Sequence, residues 1–166
     1  MLIIGDSIIK HIDVNRIYPG HTNMKVCLPG ARADKVYEKI VELNHKYCYD
    51  TVIVHVGSNY IPHKSSNYIS RDLITKLEAI QQLLPSTKLH FSEVLPKQTT
   101  NFLHGISKLN RFMREECTDR DIGYIHHRRF AKAYDTDRKL ICWDGTHLSY
   151  SGVAALQESY TYYLTG

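Results

Sequence analysis

The sequence has few features that would place it outside the ordinary globular class. No apolar run approaches the roughly 20 residues of a membrane-spanning helix, and the N-terminus lacks the pattern of a secretory signal. No low-complexity tract or linker interrupts the 166 residues, of which 43% are hydrophobic and 23% charged. We therefore expect a single folded domain over residues 1–166, located inside the cell in the cytoplasm. The first apolar run has almost no lead-in before Gly5, which indicates a domain cut from a longer protein.

The features of a metal or redox site are also missing. The cysteines occur singly, without a Cys-x-x-Cys pair, which favours free thiols in a reducing compartment. No His-Glu-x-x-His motif is present, and the adjacent His126 and His127 would point to opposite faces of a strand. We expect neither a metal nor another cofactor, and a metal hydrolase stays only as a third alternative.

Five short runs of apolar and β-branched residues, each of strand length, recur along the chain. They are Leu2–Ile4, Met24–Leu28, Thr51–Val56, Leu89–Val94 and Ile122–Ile125. Helical spacing of apolar residues marks 8–17, 33–47, 69–84 and 102–113, and a last helix is predicted to start near Ser151. Strict alternation of strand and helix implies parallel pairing with right-handed crossovers. We predict an α/β fold, a three-layer α/β/α sandwich with a flavodoxin-like five-stranded parallel sheet in the order 2-1-3-4-5.

Three of these strands are followed by residue types suited to acyl transfer. Ser7 comes after the first strand, where the free N–H groups of a helix start favour developing negative charge. Gly30 follows the second strand and lets a backbone N–H approach a ligand, and the amide of Asn59, after the third, can donate to an oxyanion. Each also has a plainer interpretation: Asp6 or Ser7 as a helix N-cap, and Gly30 and Asn59 as turn residues.

Asp144 and His147 form a further candidate pair just before the last helix. Three residues of separation can bring both side chains to one side of a turn, with the carboxylate on one imidazole nitrogen and a hydroxyl on the other. The plainer interpretation is an Asp-Gly turn followed by an exposed histidine. In the predicted strand order, Ser7, Gly30 and Asn59 emerge from three adjacent strand ends, at the edge where doubly wound sheets bind ligands. Together the five residues favour acyl transfer.

Four sequence blocks, taken together, resemble the SGNH hydrolases, also called GDSL-like esterases. The blocks are Ile-Ile-Gly-Asp-Ser at 3–7, Pro-Gly-Ala-Arg at 29–32, Val-Gly-Ser-Asn at 56–59 and Asp-Gly-Thr-His at 144–147. They stand in the order of that family and span nearly the whole chain. The residues around the second and the last block, at 31–34 and 148–152, are most similar to the esterase domain carried by first-reading-frame proteins of LINE-type (non-LTR) retrotransposons.

The resemblance implies a role for each of the five candidates. Ser7 is the nucleophile, His147 the base and Asp144 the residue that orients the base. The oxyanion site consists of the backbone N–H groups of Ser7 and Gly30 and the side-chain amide of Asn59. Ser7, Asp144 and His147 are thus the expected catalytic residues, and Ser7, Gly30 and Asn59 the expected oxyanion hole.

The expected function is that of a serine esterase that hydrolyses short-chain, acetyl-type carboxylic esters through an acyl-enzyme, within a retrotransposon protein. Its partner is a small ester substrate, which the sequence leaves open between a lipid and an acetylated polymer. No long insertion is available for a lid, which favours short acyl groups. One departure from the family is Tyr60, since an aspartate often follows the block asparagine there, and this leaves the packing of that loop open.

A binding module is the alternative, because two basic clusters could contact the phosphates of RNA or an anionic membrane surface. The net charge of +4 permits such contacts without requiring them. A solvated helix face is the plainer interpretation, since Glu115 and Glu116 dilute the charge. The basic residues are Lys108, Arg111, Arg114, Arg128 and Arg129.

Overall fold

A computed structural model of the chain describes residues 1–61, 63–97, 100–132 and 139–166, without the side chains of 100–103 and 132. Its centre is a parallel sheet of five strands in the order β2-β1-β3-β4-β5, which confirms the predicted topology. The strands are β1 (Leu2–Gly5), β2 (Met24–Cys27), β3 (Thr51–His55), β4 (Lys88–Ser92) and β5 (Gly123–Ile125). Each strand begins and ends within two residues of its predicted position, because strands buried on both faces leave continuous apolar runs.

Helices cover both faces of the sheet. They are α1 (Val14–Ile17), α2 (Ala33–Asn44), α3 (Ser66–Leu83), α4 (Thr100–Asp119), α5 (Arg128–Lys132) and α6 (Tyr150–Thr165). Leu2 and Ile4 point to one face and pack in the cluster that contains α2, α3 and α4, whereas Ile3 points to the opposite face, toward α1 and α6. The predicted buried stripe of α4 includes Phe102, whose side chain lies outside the described residues.

The segment after β1 differs from the prediction, since 8–17 is not one amphipathic helix. A 3₁₀ turn, Ser7–Ile9, follows the strand, and α1 begins separately at Val14. The break has a local cause, because the side chain of Asp13 accepts a hydrogen bond from the N–H of Asn15 and caps a new helix. The apolar spacing nevertheless predicted burial correctly, since the isoleucines of both pieces are buried on the face of the sheet that α6 covers. The short helix α5 is also absent from the sequence-based prediction.

None of the described helices combines the length and the apolarity that a membrane crossing requires.

All four cysteines are free thiols.

Candidate active site

Ser7 lies at the carboxyl end of β1, on the 3₁₀ turn that leaves the sheet. The preceding residue, Asp6, caps this turn, and its side chain accepts a hydrogen bond from the N–H of Ile8 at 3.0 Å. The N-cap interpretation therefore holds for Asp6 and leaves the Ser7 hydroxyl free to face the last loop of the chain. Ser7 Oγ is 3.5 Å from Nε2 of His147. This distance is longer than that of a tight hydrogen bond.

A short hairpin-like loop, 140–149, positions the histidine. Its two sides are joined by an antiparallel bridge between Ile141 and Leu148 and by a hydrogen bond from the N–H of Cys142 to the carbonyl of His147 at 2.7 Å. At its tip, Asp144 Oδ1 accepts the N–H groups of Thr146 and His147 at 2.8 and 2.9 Å. The predicted Asp-Gly turn is therefore present, and the same turn orients the imidazole of His147 toward Ser7.

The other carboxylate oxygen of Asp144 contacts the histidine ring. Oδ2 lies 2.7 Å from Nδ1 of His147, and this hydrogen bond is the main reason that the pKa of Asp144 is lowered to about 2. An ionised Asp144 accepts the proton of Nδ1, which leaves Nε2 as the acceptor that faces Ser7. Ser7, His147 and Asp144 thus form a continuous chain of contacts in the order that general-base activation of a hydroxyl requires.

Two backbone N–H groups beside Ser7 are available to a ligand. Among the described residues, neither the N–H of Ser7 nor that of Gly30 has a protein acceptor. Gly30 has a φ of +73°, a left-handed conformation that favours glycine, and a Cβ atom there would meet nothing within 4 Å. The space beside the Gly30 turn is therefore open.

Asn59 reaches the same edge but is already engaged. Its Nδ2 donates to the carbonyl of Ala31 at 3.0 Å and to Oδ2 of Asp6 at 3.3 Å. These contacts use both amide hydrogens, so donation to an oxyanion requires one of them to be exchanged. The contact with Asp6 is the longer of the two and the easier to release. The sequence-based role of Asn59 therefore remains a proposal.

The carboxylate of Asp6 ties the first and third blocks together, a role that sequence reasoning missed. Its side chain is 1% exposed, and Oδ2 accepts from the hydroxyl of Ser58 at 3.1 Å as well as from Asn59. Lys97 lies on the far side of Ser58 and donates to its carbonyl at 3.2 Å. Burial lowers the pKa of Lys97, whereas the charge of Asp6 raises it.

Tyr60, the departure from the family pattern, is buried and connects its loop to two helices. Its hydroxyl donates to the carboxylate of Asp72 on α3 and accepts the N–H of Ala33 at the start of α2 at 2.9 Å. Burial and the nearby Asp72 carboxylate raise the pKa of Tyr60. The guanidinium of Arg32 lies 5.2 Å from the centre of the ring. The loop that carries Asn59 is therefore fixed to two helices by a single side chain.

His126 and His127 follow β5, and their side chains have different surroundings, as expected for adjacent residues that point in opposite directions. His126 Nδ1 contacts Glu93 at 2.6 Å near the surface, whereas the His127 ring is buried and contacts Ser92 and Ser159 at 2.8 and 2.7 Å. No three His, Cys, Asp or Glu side chains of the described part gather as metal ligands do.

A buried polar network beneath the sheet had no sequence signal. Ser92 Oγ also contacts Nδ1 of His55 at 2.7 Å and the hydroxyl of Tyr160 at 2.9 Å. Burial lowers the pKa of His55, and it lowers that of His127 well below the ordinary value. Both rings are therefore neutral, and the network joins β3 and β4 to α6, the helix that follows the 140–149 loop.

No protein-family model and no curated protein matches the sequence. Solved structures of the same fold do match. A lipolytic protein of the G-D-S-L family from Veillonella parvula is 12% identical, with a TM-score of 0.79 over 95% of this chain and 93% of that chain. The esterase domain of a zebrafish retrotransposon ORF1 protein is 23% identical, with a TM-score of 0.55 over 99% and 98% of the two chains.

An acetyl xylan esterase is 15% identical, with a TM-score of 0.75 over the whole of both chains. The five-stranded parallel sheet of this chain and the helices around it match the fold of the G-D-S-L family protein. The resemblance that the four sequence blocks predicted is thereby confirmed at the level of the fold, and this chain has the architecture of the SGNH hydrolases.

Proposed function

We propose that this chain is a serine esterase with Ser7 as its nucleophile. The observation that carries the proposal is the contact chain from Ser7 Oγ to His147 Nε2 at 3.5 Å and from His147 Nδ1 to Asp144 Oδ2 at 2.7 Å. Ser7 attacks the ester carbonyl while His147 takes the hydroxyl proton and then returns it to the leaving alcohol. Water hydrolyses the acyl-enzyme by the same route, again with His147 as base.

In this proposal the oxyanion is stabilised by donors from the segments that follow β1, β2 and β3. The N–H groups of Ser7 and Gly30 are free for this purpose, and Asn59 adds its amide once it releases Asp6. Donors that need no rearrangement during the reaction stabilise the transition state more than the ground state. The two backbone groups therefore supply the fixed part of the site, and Asn59 supplies a part that substrate binding completes.

The open position of the site supports short acyl groups. The side chains of His147 and Asp144 are 53% and 35% exposed, so the base lies at the surface rather than in a tunnel. A long acyl chain would gain little burial there, whereas an acetyl group needs none. The fold shared with an acetyl xylan esterase supports the same substrate class. The likeness to a zebrafish retrotransposon esterase domain supports a retrotransposon protein as the context.

The test combines active-site labelling with a graded substrate panel. A fluorophosphonate probe should label the wild type at Ser7 and leave Ser7→Ala unlabelled, while Ser86→Ala, an exposed serine at the opposite end of the sheet, should be labelled like the wild type. The specificity constant kcat/KM should fall from p-nitrophenyl acetate through butyrate to longer esters. Activity should persist in excess chelator. Wild-type-like turnover in Ser7→Ala would refute the assignment of the nucleophile, and a preference for long chains would refute the substrate class.

A further inference from the structure

A continuous groove runs around the β5 edge of the sheet. Three depressions, of about 570, 590 and 320 Å³, are lined by the end of β5, by α4 and by the α5–α6 side. The first and the third share His104 and Ser107, and the first and the second share His126 and Phe130. Because adjoining depressions have lining residues in common, they form one surface, which we call the β5 groove.

The β5 groove is lined by an excess of positive charge. Its cations are Lys108, Arg111, Arg114, Arg128 and Arg129. Among the lining residues that the structure describes, two are carboxylates, and both are occupied. Glu158 pairs with Arg129 at 2.5 Å, and Glu93 accepts from Tyr124, from the His126 ring and from the N–H of His127. Within the described part of the chain, the other four cations have no carboxylate within 4.0 Å.

Aromatic rings accompany these cations. Tyr162 and Tyr163 on α6 line the same groove and are 75% and 37% exposed. The Lys108 ammonium and the Arg111 guanidinium lie 5.5 and 5.6 Å from the ring of Phe112, so both head groups are held near α4. A row of cations beside exposed tyrosine rings is the arrangement by which proteins bind a phosphate backbone and stack unpaired bases.

We propose that the β5 groove binds a single-stranded nucleic acid, with its phosphates along the α4 cations and a base against Tyr162. A membrane surface fits less well, because the groove curves around the sheet edge and its apolar lining residues Ile106 and Phe130 are only 2% and 1% exposed. They therefore offer nothing to insert into a bilayer.

The β5 groove lies apart from Ser7. Ser7 follows β1, three strands from β5, a separation of roughly 14 Å at about 4.8 Å per strand. Binding and hydrolysis are consequently separable.

The test measures the fluorescence anisotropy of labelled oligo(U) and oligo(dT) of about 15 nucleotides between about 50 and 300 mM salt. Four unpaired cations at about 0.7 each predict a slope of log K against log[salt] near −3. The variant Lys108→Ala/Arg111→Ala/Arg114→Ala should reduce the magnitude of that slope by about 2. Comparing the two oligonucleotides shows whether RNA or single-stranded DNA is the ligand.

A matched control removes the same charge elsewhere. The variant Lys35→Ala/Lys46→Ala/Arg71→Ala, which changes exposed residues of α2, α3 and the turn after α2, should bind like the wild type. Tyr162→Ala should weaken binding about tenfold without changing the slope, because it removes stacking and no charge. The control for Tyr162 is Tyr47→Ala, a tyrosine that is 47% exposed outside the groove.

Equal losses in the two triple variants would overturn the proposal, as would binding that is independent of salt or confined to anionic phosphatidylserine vesicles. Hydrolysis of p-nitrophenyl acetate, measured on the same variants, should match the wild type. An inactive esterase that still binds oligonucleotides would refute the proposed function alone, and an active esterase that does not bind them would refute the groove alone.

Discussion

Replacement of Asp6 by asparagine should damage both stability and catalysis, although it preserves the size and the cap of the side chain. The carboxylate receives Ile8 N–H, Ser58 Oγ and Asn59 Nδ2 at 3.0, 3.1 and 3.3 Å. In Asp6→Asn one oxygen can still accept from Ile8, and Ser58 can rotate to accept instead of donate. The amide nitrogen of Asn59 cannot accept a hydrogen bond, so in this variant it would face the amide nitrogen of the new asparagine, which is also a donor.

The magnitude follows from the bonds lost. A buried hydrogen bond to a charged group contributes about 1.5–3 kcal/mol, and one of the three bonds is lost outright while two lose their charge. We expect the free energy of unfolding to fall by about 2 kcal/mol, which moves the urea midpoint by about 1 M at an m-value near 2 kcal/mol per M. Displacement of Asn59 should also lower kcat by about 10- to 100-fold with little change in KM.

Asp13→Asn is the matched control. Asp13 also caps a short helix, through a hydrogen bond from the N–H of Asn15 at 3.1 Å, but its side chain is half exposed and contacts neither Ser58 nor Asn59. Asparagine is an equally good cap, so this variant should differ from the wild type by less than about 0.5 kcal/mol. Equal stability of the two variants, or a more stable Asp6→Asn, would show that the cost of burying the charge outweighs its three bonds.

Four further outcomes are expected. Asn59→Ala should stay folded and lower kcat by about 10²- to 10³-fold, as measured by steady-state hydrolysis. Asp144→Asn should lower kcat by about 10⁴-fold, because the wrong tautomer of the histidine would face Ser7; an unchanged pH–rate profile with full activity would contradict this. His127 and His55 have lowered pKa values when folded, so the unfolded chain binds more protons below pH 6.5. Urea titrations should therefore show stability lost as the pH falls from about 6.5 to 5, by up to about 1.4 kcal/mol per pH unit per histidine, and a pH-independent midpoint would contradict it. Gly5→Ala should unfold at a much lower temperature in a melting experiment, because its Cβ would lie 2.1 Å from the carbonyl oxygen of His55.

The sequence was sufficient for the parts of the fold that depend on local patterns. The five strands leave runs such as 51–56 that are apolar on both faces, and their alternation with helices fixes a parallel sheet. Once the strand order is known, Ser7, Gly30 and Asn59 must share one edge. The Asp144–His147 turn is local as well, which is why its geometry followed from a spacing of three residues.

Long-range polar contacts could not be predicted in the same way. Ser92, His55 and Tyr160 come from two strands and a helix, and nothing in their separate surroundings shows that a hydroxyl and an imidazole will meet beneath the sheet. The bond from Ser58 to Asp6 joins residues 52 positions apart and has the same character. The break between Ser7–Ile9 and α1 could not be predicted for a different reason. Both pieces bury isoleucine side chains on the same face, so their apolar spacing is that of a single amphipathic helix.

Ser7 and His147, whose side chains are in contact, lie 140 positions apart. During synthesis the serine is therefore made long before the histidine. A shortened polypeptide that ends before the 140–149 loop would keep Ser7 and all five strands but would lack the imidazole that contacts the hydroxyl. With the roles that we propose for these residues, ester hydrolysis would report that translation has passed His147.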